Sequence, residues 1–370
     1  MFRIRLLVYF FVFSASALQV IAQTSNATLR VGIVGLTHGH VAGFFNNNLK
    51  RSDVQIVGIA EPERPLFDRY AEQHQLDPAL YFSSLGEMIA RAHPAAVVVY
   101  TDTFDHRRVV EECARHGIHV MMEKPLAVSY RDALAMADAA RSGGIHVLVN
   151  YETTWYASNK AAHDLLQQGA LGDVRKVVIH DGHRGPKEIH VQPEFFAWLT
   201  DPKLNGAGAL FDFGCYGADL MTGLMNGEAP AAVTAVTQHL QENIYPKVDD
   251  EANVILAYPN AVAILQASWN WPFDRKDMEV YGRTGFAKTI LRDRIAVRRA
   301  GEKDEEIQTA PPLEAPYDDS LRYFAAVVNG QIQDANSLSS LQTNLIVTEI
   351  LDAARRSAEA GRTIKLPLQP

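Results

Sequence analysis

Five short apolar runs punctuate the first 150 residues, and their spacing constrains the fold more than any other feature. They are Leu29–Val34, Val54–Ala60, Ala95–Tyr100, Ile118–Met122 and Ile145–Val149. Each reads as a buried strand, and the Ala95-Ala96-Val97-Val98-Val99 run has strong β character. Between them Arg64–His74, roughly Asp105–His116, and Ser129–Arg141 read as helices. Strands alternating with helices imply a parallel, doubly wound sheet. Such a sheet binds its ligands outside the C-terminal ends of its strands.

The second half changes character. Ala157–Gln168 reads as a helix, followed by longer alternating strands: Val174–His180, Ala231–Leu240, Ala252–Tyr258, Ala261–Trp269 and Met278–Gly282. This pattern predicts a large, mostly antiparallel sheet open on one face. Asp318–Val328 and Ser339–Ala360 are helical, with Gly361 as the stop. The expected architecture is an α/β domain over residues 28–150, then an α+β domain over 151–370. A length of 370 residues suits two cores.

Residues 1–22 stand apart. Arg3 and Arg5 precede an apolar run, Leu6–Ala17, and Val20-Ile21-Ala22 offers a small residue before a cut. That is the layout of a Sec-type signal peptide, so a periplasmic or secreted protein is expected, without stable membrane association after cleavage. The net charge is −8, and losing the two arginines makes the mature chain more acidic still. With no basic cluster, nucleic acid is a poor partner. The only cysteines, Cys113 and Cys215, fall in different domains and are expected as free, buried thiols.

The chemistry starts at the first strand–helix turn, Gly35-Leu36-Thr37-His38-Gly39-His40. A dinucleotide fingerprint reads G-x-G-x-x-G. Here only Gly35 keeps its place, with Thr37 and His40 at the other two glycine positions. A strand, a tight turn and a helix N-terminus still suit a phosphate. His38 and His40 invite a metal reading, but no carboxylate or cysteine lies near them in sequence, so no metal is expected. Glu61 closes the second strand, where an acid accepts hydrogen bonds from an adenosine ribose and repels a 2′-phosphate. NAD is therefore favoured, and Arg64 and Arg69 keep NADP as the alternative. Glu123-Lys124-Pro125 closes the fourth strand, and Pro125 stiffens the turn. Further on, Asp212, Tyr216 and Asp219 share one face if the segment is a continuous helix. A phenol beside an ammonium would have its anionic form favoured, which suits a proton shuttle.

Several of these motifs, in this order, resemble the glucose-fructose oxidoreductase / inositol dehydrogenase (Gfo/Idh/MocA) family. They are the Gly35 turn, Glu61, Asp105-His106, Gly117-Ile118-His119-Val120 running into Glu123-Lys124-Pro125, Gly169-Ala170-Leu171-Gly172-Asp173-Val174, Asp212-x-Gly214-Cys215-Tyr216-x-x-Asp219, Tyr281-Gly282-Arg283-Thr284-Gly285 and Ser357-Ala358-Glu359-Ala360-Gly361-Arg362. The resemblance implies a Rossmann domain, a nicotinamide cofactor, sugar or polyol substrates, and homodimers or homotetramers. It implies Lys124 as the active-site lysine, Asp212 as the acid that positions substrate, and Tyr216 in the acid–base role that inositol dehydrogenases give to histidine. Gly35, Thr37, His38, Gly39, His40, Glu61, Thr101, His106, Glu123 and Lys124 are the expected cofactor contacts. Trp155, His183, Arg184 and Trp198, with Asp212, are the expected substrate contacts, while Trp269 and Trp271 are expected to pack on one strand face. The expected activity is hydride transfer from a hydroxyl-bearing carbon. Two alternatives stay open: redox-neutral glycoside cleavage or elimination on a tightly held NAD, and sugar binding without catalysis.

Overall fold

A computed structural model describes residues 28–369, so the expected signal peptide lies outside the described residues. The first sheet is built from β1 (Leu29–Val34), β2 (Val54–Ala60), β3 (Tyr81–Phe82), β4 (Ala96–Val99), β5 (His119–Glu123) and β6 (Val147–Asn150). Its order is β3-β2-β1-β4-β5-β6, with every pair parallel. Chain direction across the sheet reverses between β1 and β4, and a crevice opens at such a switch point. The helices of this domain are α1 (His40–Asn48), α2 (Arg64–His74), α3 (Leu85–Ala92), α4 (His106–Arg115) and α5 (Tyr130–Gly143). Ser84 and Ser129 cap α3 and α5, accepting from the Glu87 and Asp132 N–H groups.

The second half contributes α6 (Ala157–Gln167), β7 (Val174–Gly182), α7 (Pro193–Leu199), α8 (Pro202–Asn205), α9 (Ala209–Asp212) and α10 (Gly214–Leu224). Strands β8 (Ala232–Gln238), β9 (Glu251–Ala257), β10 (Val262–Ser268), β11 (Arg275–Gly282), β12 (Gly285–Leu291), β13 (Arg294–Arg299) and β14 (Glu306–Thr309) follow. The chain ends with α11 (Ser320–Val328), α12 (Leu341–Ala360) and β15 (Ile364–Lys365). The nine-stranded sheet runs β14-β13-β12-β11-β7-β10-β9-β8-β15, and only β10–β7 is parallel. Helices α6, α10 and α12 cover one face. The other carries exposed Val236, Ile255 and Tyr281.

The two halves are tied together. Leu148 of β6 forms a bridge with Ser340, and Asp352 on α12 accepts from the Tyr130 N–H. Leu321 and Phe324 of α11 pack into the same cluster as Val31, Ile33 and Phe44 of the first domain. Among the described residues no helix is long and apolar enough to cross a membrane. Both cysteines are free and buried, as expected.

Candidate active site

Lys124 leaves the end of β5 and is buried against Asp212, the last residue of α9. Its Nζ donates to Asp212 Oδ1 at 2.5 Å and to the Asp212 carbonyl at 2.9 Å. An ammonium has three N–H groups, so one remains. Asp212 Oδ2 accepts from the Trp269 indole at 2.9 Å. The carboxylate is therefore fixed at both oxygens. Burial opposes the charge on Lys124, but Asp212 outweighs it and holds the amine above its ordinary value. Burial likewise opposes ionisation of Asp212, and Lys124, His183 and Trp269 together hold it below the usual carboxylate range. The pair is a buried ion pair.

The position of α9 depends on Asp249, whose carboxylate accepts from the Gly208 and Leu210 N–H groups at 2.9 and 2.7 Å. A Cβ on Gly208 would stand 1.8 Å from the Asp249 carbonyl oxygen. Glycine is what lets this loop close onto the sheet and present Asp212.

Tyr216 is almost fully buried on α10. Its ring lies 5.2 Å from Lys124 Nζ and 4.7 Å from Lys276 Nζ, and edge-on to Tyr151. Its hydroxyl has no hydrogen-bond partner among the described residues. Here the structure corrects two expectations. The helix breaks at Phe213, so Asp212 and Tyr216 sit on separate helices, and buried Asp219, on the Tyr216 helix, has both carboxyl oxygens unpartnered among the described residues. The phenol is not pushed toward its anion either. Burial raises it well above its ordinary value, and Cys215, Glu152, Glu123 and Asp212 push the same way. Tyr216 is a proton donor, not a standing base.

Three more charged groups lie near this pair, and sequence reasoning assigned none of them a role. Lys276 of β11 pairs with Glu152, which also binds Arg292. Those charges overcome burial and bring Glu152 down to about 2. Asp181 of β7 stands opposite Lys276 in the strand register. It is buried with Oδ1 unpartnered, and burial pushes it well above the usual range. One signal was available: Val177, Ile179 and Asp181 alternate inward on β7, as Lys276, Met278 and Val280 do on β11.

A cleft of about 290 Å³ opens at the ends of β1, β2 and β4, lined by Gly35, Thr37, Glu61, Ser84, Thr101 and Arg108 among others. Gly35 has φ +78°, and a Cβ there would meet Thr101 Cγ2 at 2.6 Å. Among the described residues, the backbone N–H groups of Thr37 and Gly39 have no acceptor. Two free donors on a turn that opens α1 suit a phosphate. Glu61 accepts from the Leu36 and Glu63 N–H groups at 2.8 and 2.9 Å and keeps lone pairs toward the cleft. These residues fit a dinucleotide.

Other expected contacts fall differently. His106 is buried with Nδ1 3.2 Å from the Leu126 carbonyl, so it braces the lysine turn and does not line the cleft. Arg64 pairs with Asp68 and Arg69 with Glu194, so a 2′-phosphate would compete with those carboxylates for either arginine. Trp198 is no sugar platform. Its indole donates to the Thr37 carbonyl and its ring packs near His38, so α7 roofs the cofactor turn. Trp269 and Trp271 lie past the end of β10, not on one strand face. His183 packs against Phe213, and its Nδ1 accepts from the Gly185 N–H at 2.9 Å. In the neutral ring Nε2 therefore carries the proton. Arg184 is exposed and unpaired among the described residues. Trp155 lines a second cleft of about 530 Å³ with His40, Glu123, Asn150 and Glu152.

Comparison with known proteins agrees with this geometry. Residues 29–151 match the profile of the oxidoreductase family with an NAD-binding Rossmann fold. Residues 159–288 match the GFO/IDH/MocA C-terminal domain.

The chain belongs to the GFO/IDH/MocA family.

Its first domain is thus an NAD-binding Rossmann domain of an oxidoreductase family. Trans-1,2-dihydrobenzene-1,2-diol dehydrogenase of Macaca fascicularis is 27% identical over 237 residues, 63% of this chain. That match spans 66% of the relative's length. 1,5-Anhydro-D-fructose reductase of Ensifer adhaerens is 24% identical, covering 86% of this chain and 91% of the relative. The family fold recurs in aldose-aldose oxidoreductase from Caulobacter crescentus complexed with glycerol. That structure has a TM-score of 0.77 at 24% identity, over 92% of this chain and 100% of that one. An inositol dehydrogenase homologue from Azotobacter vinelandii complexed with NAD+ has a TM-score of 0.78 at 18% identity, over 91% and 97%.

Within this family frame Glu61 gives a direct test. Glu61→Ala is expected to weaken NADH binding about tenfold or more, from loss of a charge-assisted hydrogen bond, and NADPH binding less. Fluorescence titration of both cofactors measures it. Equal losses would mean that Glu61 does not face the ribose.

Proposed function

We propose that the protein is an exported NAD-dependent oxidoreductase acting on a hydroxyl of a sugar or polyol. The observation that carries this reading is the Lys124–Asp212 pair, with one lysine N–H unused and the Tyr216 hydroxyl unpartnered beside it. Bound NAD supplies a hydride acceptor. Gly35, Thr37, Gly39 and Glu61 are the residues that would hold it. Lys124 keeps its proton at Nζ in the resting site and gives it to an alkoxide when a carbonyl is reduced. In the oxidative direction the neutral amine takes the hydroxyl proton. Asp212 keeps Nζ aimed and favours its charged form. Tyr216 and His183 Nε2 donate hydrogen bonds to the sugar's oxygens. Burial around the ion pair excludes water from the proton transfer.

The pH dependence follows from the sign of the Lys124 shift. A raised amine is protonated at neutral pH, so alcohol oxidation should accelerate as pH rises over roughly pH 7–10, while carbonyl reduction, which uses the protonated amine, should stay level there and slow only at higher pH. Both directions are followed by nicotinamide absorbance with a panel of aldoses and polyols. Oxidation that is flat across that range would remove Lys124 as the base.

The basic start and apolar run of residues 1–22 support export, and exposed Val236, Ile255 and Tyr281 support a homodimer or homotetramer through the open sheet face. One observation favours a second reading, redox-neutral chemistry on a retained cofactor. Helix α7 covers the turn, with Phe195 and Trp198 against His38. Protein purified with stoichiometric NAD(H), and converting sugar without net nicotinamide reduction, would favour it over the first.

A further inference from the structure

The fold supplies what the sequence around His38 and His40 lacks. Strand β5 brings Glu123 beside them, so that one nitrogen of each imidazole and one Glu123 oxygen lie within 4.8 Å of one another. His40 Nδ1 is 3.0 Å from Glu123 Oε2, and the two imidazole centroids are 4.6 Å apart. A plain His40–Glu123 ion pair would not need the second imidazole. His38 is buried and wedged against Phe195 and Trp198, with ring centroids at 4.7 and 5.4 Å. The other Glu123 oxygen lies 3.4 Å from Asn150 Nδ2, an outer partner that orients the carboxylate, as hydrogen bonds behind metal ligands do. His40 is half-exposed, and both it and Glu123 line the 530 Å³ cleft with Asn150, Glu152 and Trp155.

We propose that His38, His40 and Glu123 bind one divalent transition-metal cation of the zinc class, with an open coordination position facing that cleft. Two imidazoles and a carboxylate suit zinc or cobalt, whereas magnesium and calcium prefer oxygen alone. Three protein ligands are the number that leaves room for water or an oxygen of a bound molecule. Donor atoms on a tetrahedral cation with bonds near 2.0–2.2 Å stand about 3.3 Å apart. Closing the set therefore takes a movement of at most about 1.5 Å, within the reach of a ring rotation. At His40 the cation replaces the proton now shared with Glu123. At His38 the Nδ1 already accepts from the His40 N–H at 3.2 Å, so coordination through that nitrogen would displace this bond, while Nε2 would leave it in place. This site adjoins Lys124, the chain neighbour of Glu123, but shares no ligand with the Lys124–Asp212 pair and stands whether or not that pair transfers protons.

The test uses the tag-free, full-length protein, stripped with a chelator and kept free of nicotinamide. It is titrated with Co²⁺, and Zn²⁺ is then added. The expected result is one equivalent bound with visible d–d absorption, which Zn²⁺ displaces. His40→Ala should weaken binding about 100-fold or more, while His116→Ala, at the end of α4, should leave it unchanged. X-ray absorption of the zinc-loaded wild-type protein needs no variant, and should show two imidazole ligands. Absence of saturable binding, equal affinity in His40→Ala, or a zinc shell without imidazole would each overturn the proposal.

Discussion

Lys124→Ala is expected to lower turnover by about 10²–10⁴, the usual worth of a positioned acid–base group. It should also destabilise the fold. Asp212 is nearly fully buried, and without Lys124 its carboxylate keeps only the Trp269 indole and the more distant His183. Breaking a buried pair from one side costs about 3–5 kcal/mol. A second variant separates the two effects. Lys124→Met with Asp212→Asn removes both charges, so much of the stability should return while activity stays lost. The ion pair also sets a pH window. Asp212 is shifted down, so its contribution is present above its unfolded value and lost as pH falls through the folded one. Lys124 is shifted up, so its contribution is complete below its unfolded value and lost as pH rises through the folded one. The wild type should therefore exceed the double variant most between roughly pH 4 and 10. Denaturant melts across pH, with steady-state rates, check all of this. Lys124→Ala turnover within a few-fold of wild type would exclude Lys124 from the chemistry.

What was legible in the sequence is what depends on local pattern. Five of the six strands of the first sheet announce themselves as apolar runs, and their alternation with helices leaves little choice of topology; the two-residue edge strand β3 (Tyr81–Phe82) is too short to show a pattern. The lysine turn was visible because a Glu-Lys-Pro segment ends one of those runs. The charged groups around it were not. Asp181 and Lys276 are 95 residues apart and meet only through the β7–β11 register. Glu152 reaches Lys276 from a different segment again. The partner of His38 and His40 was hidden for the same reason, since Glu123 arrives from β5. Continuity of a helix was also misjudged, because Asp212 and Tyr216 have helical spacing while the chain between them turns at Phe213. The roof of α7 over the cofactor turn, with Trp198 bonded to the Thr37 carbonyl, has no local signature at all.

Tyr216→Phe tests the residue whose chemistry the structure revised most. Burial is the largest influence on the phenol, and the nearby carboxylates add to it. Two ammonium groups beside the ring, at 5.2 and 4.7 Å, do not reverse the sign. A group held protonated in this way donates a hydrogen bond where charge develops, and losing one such donor costs about 10²–10³ in turnover. Removing it should not delete a limb of the pH–rate profile, because the phenol does not titrate within the working range. The variant should therefore run slower at every pH with an unchanged profile. Stability should hardly change, since the hydroxyl has no partner to lose and phenylalanine keeps the edge-on contact with Tyr151. Loss of the alkaline limb would instead make Tyr216 the base and restore the reading that a neighbouring ammonium suggests. Native turnover would remove it from the reaction. Lys124 would then remain the leading proton carrier, with the His183 Nε2–H as a donor to substrate.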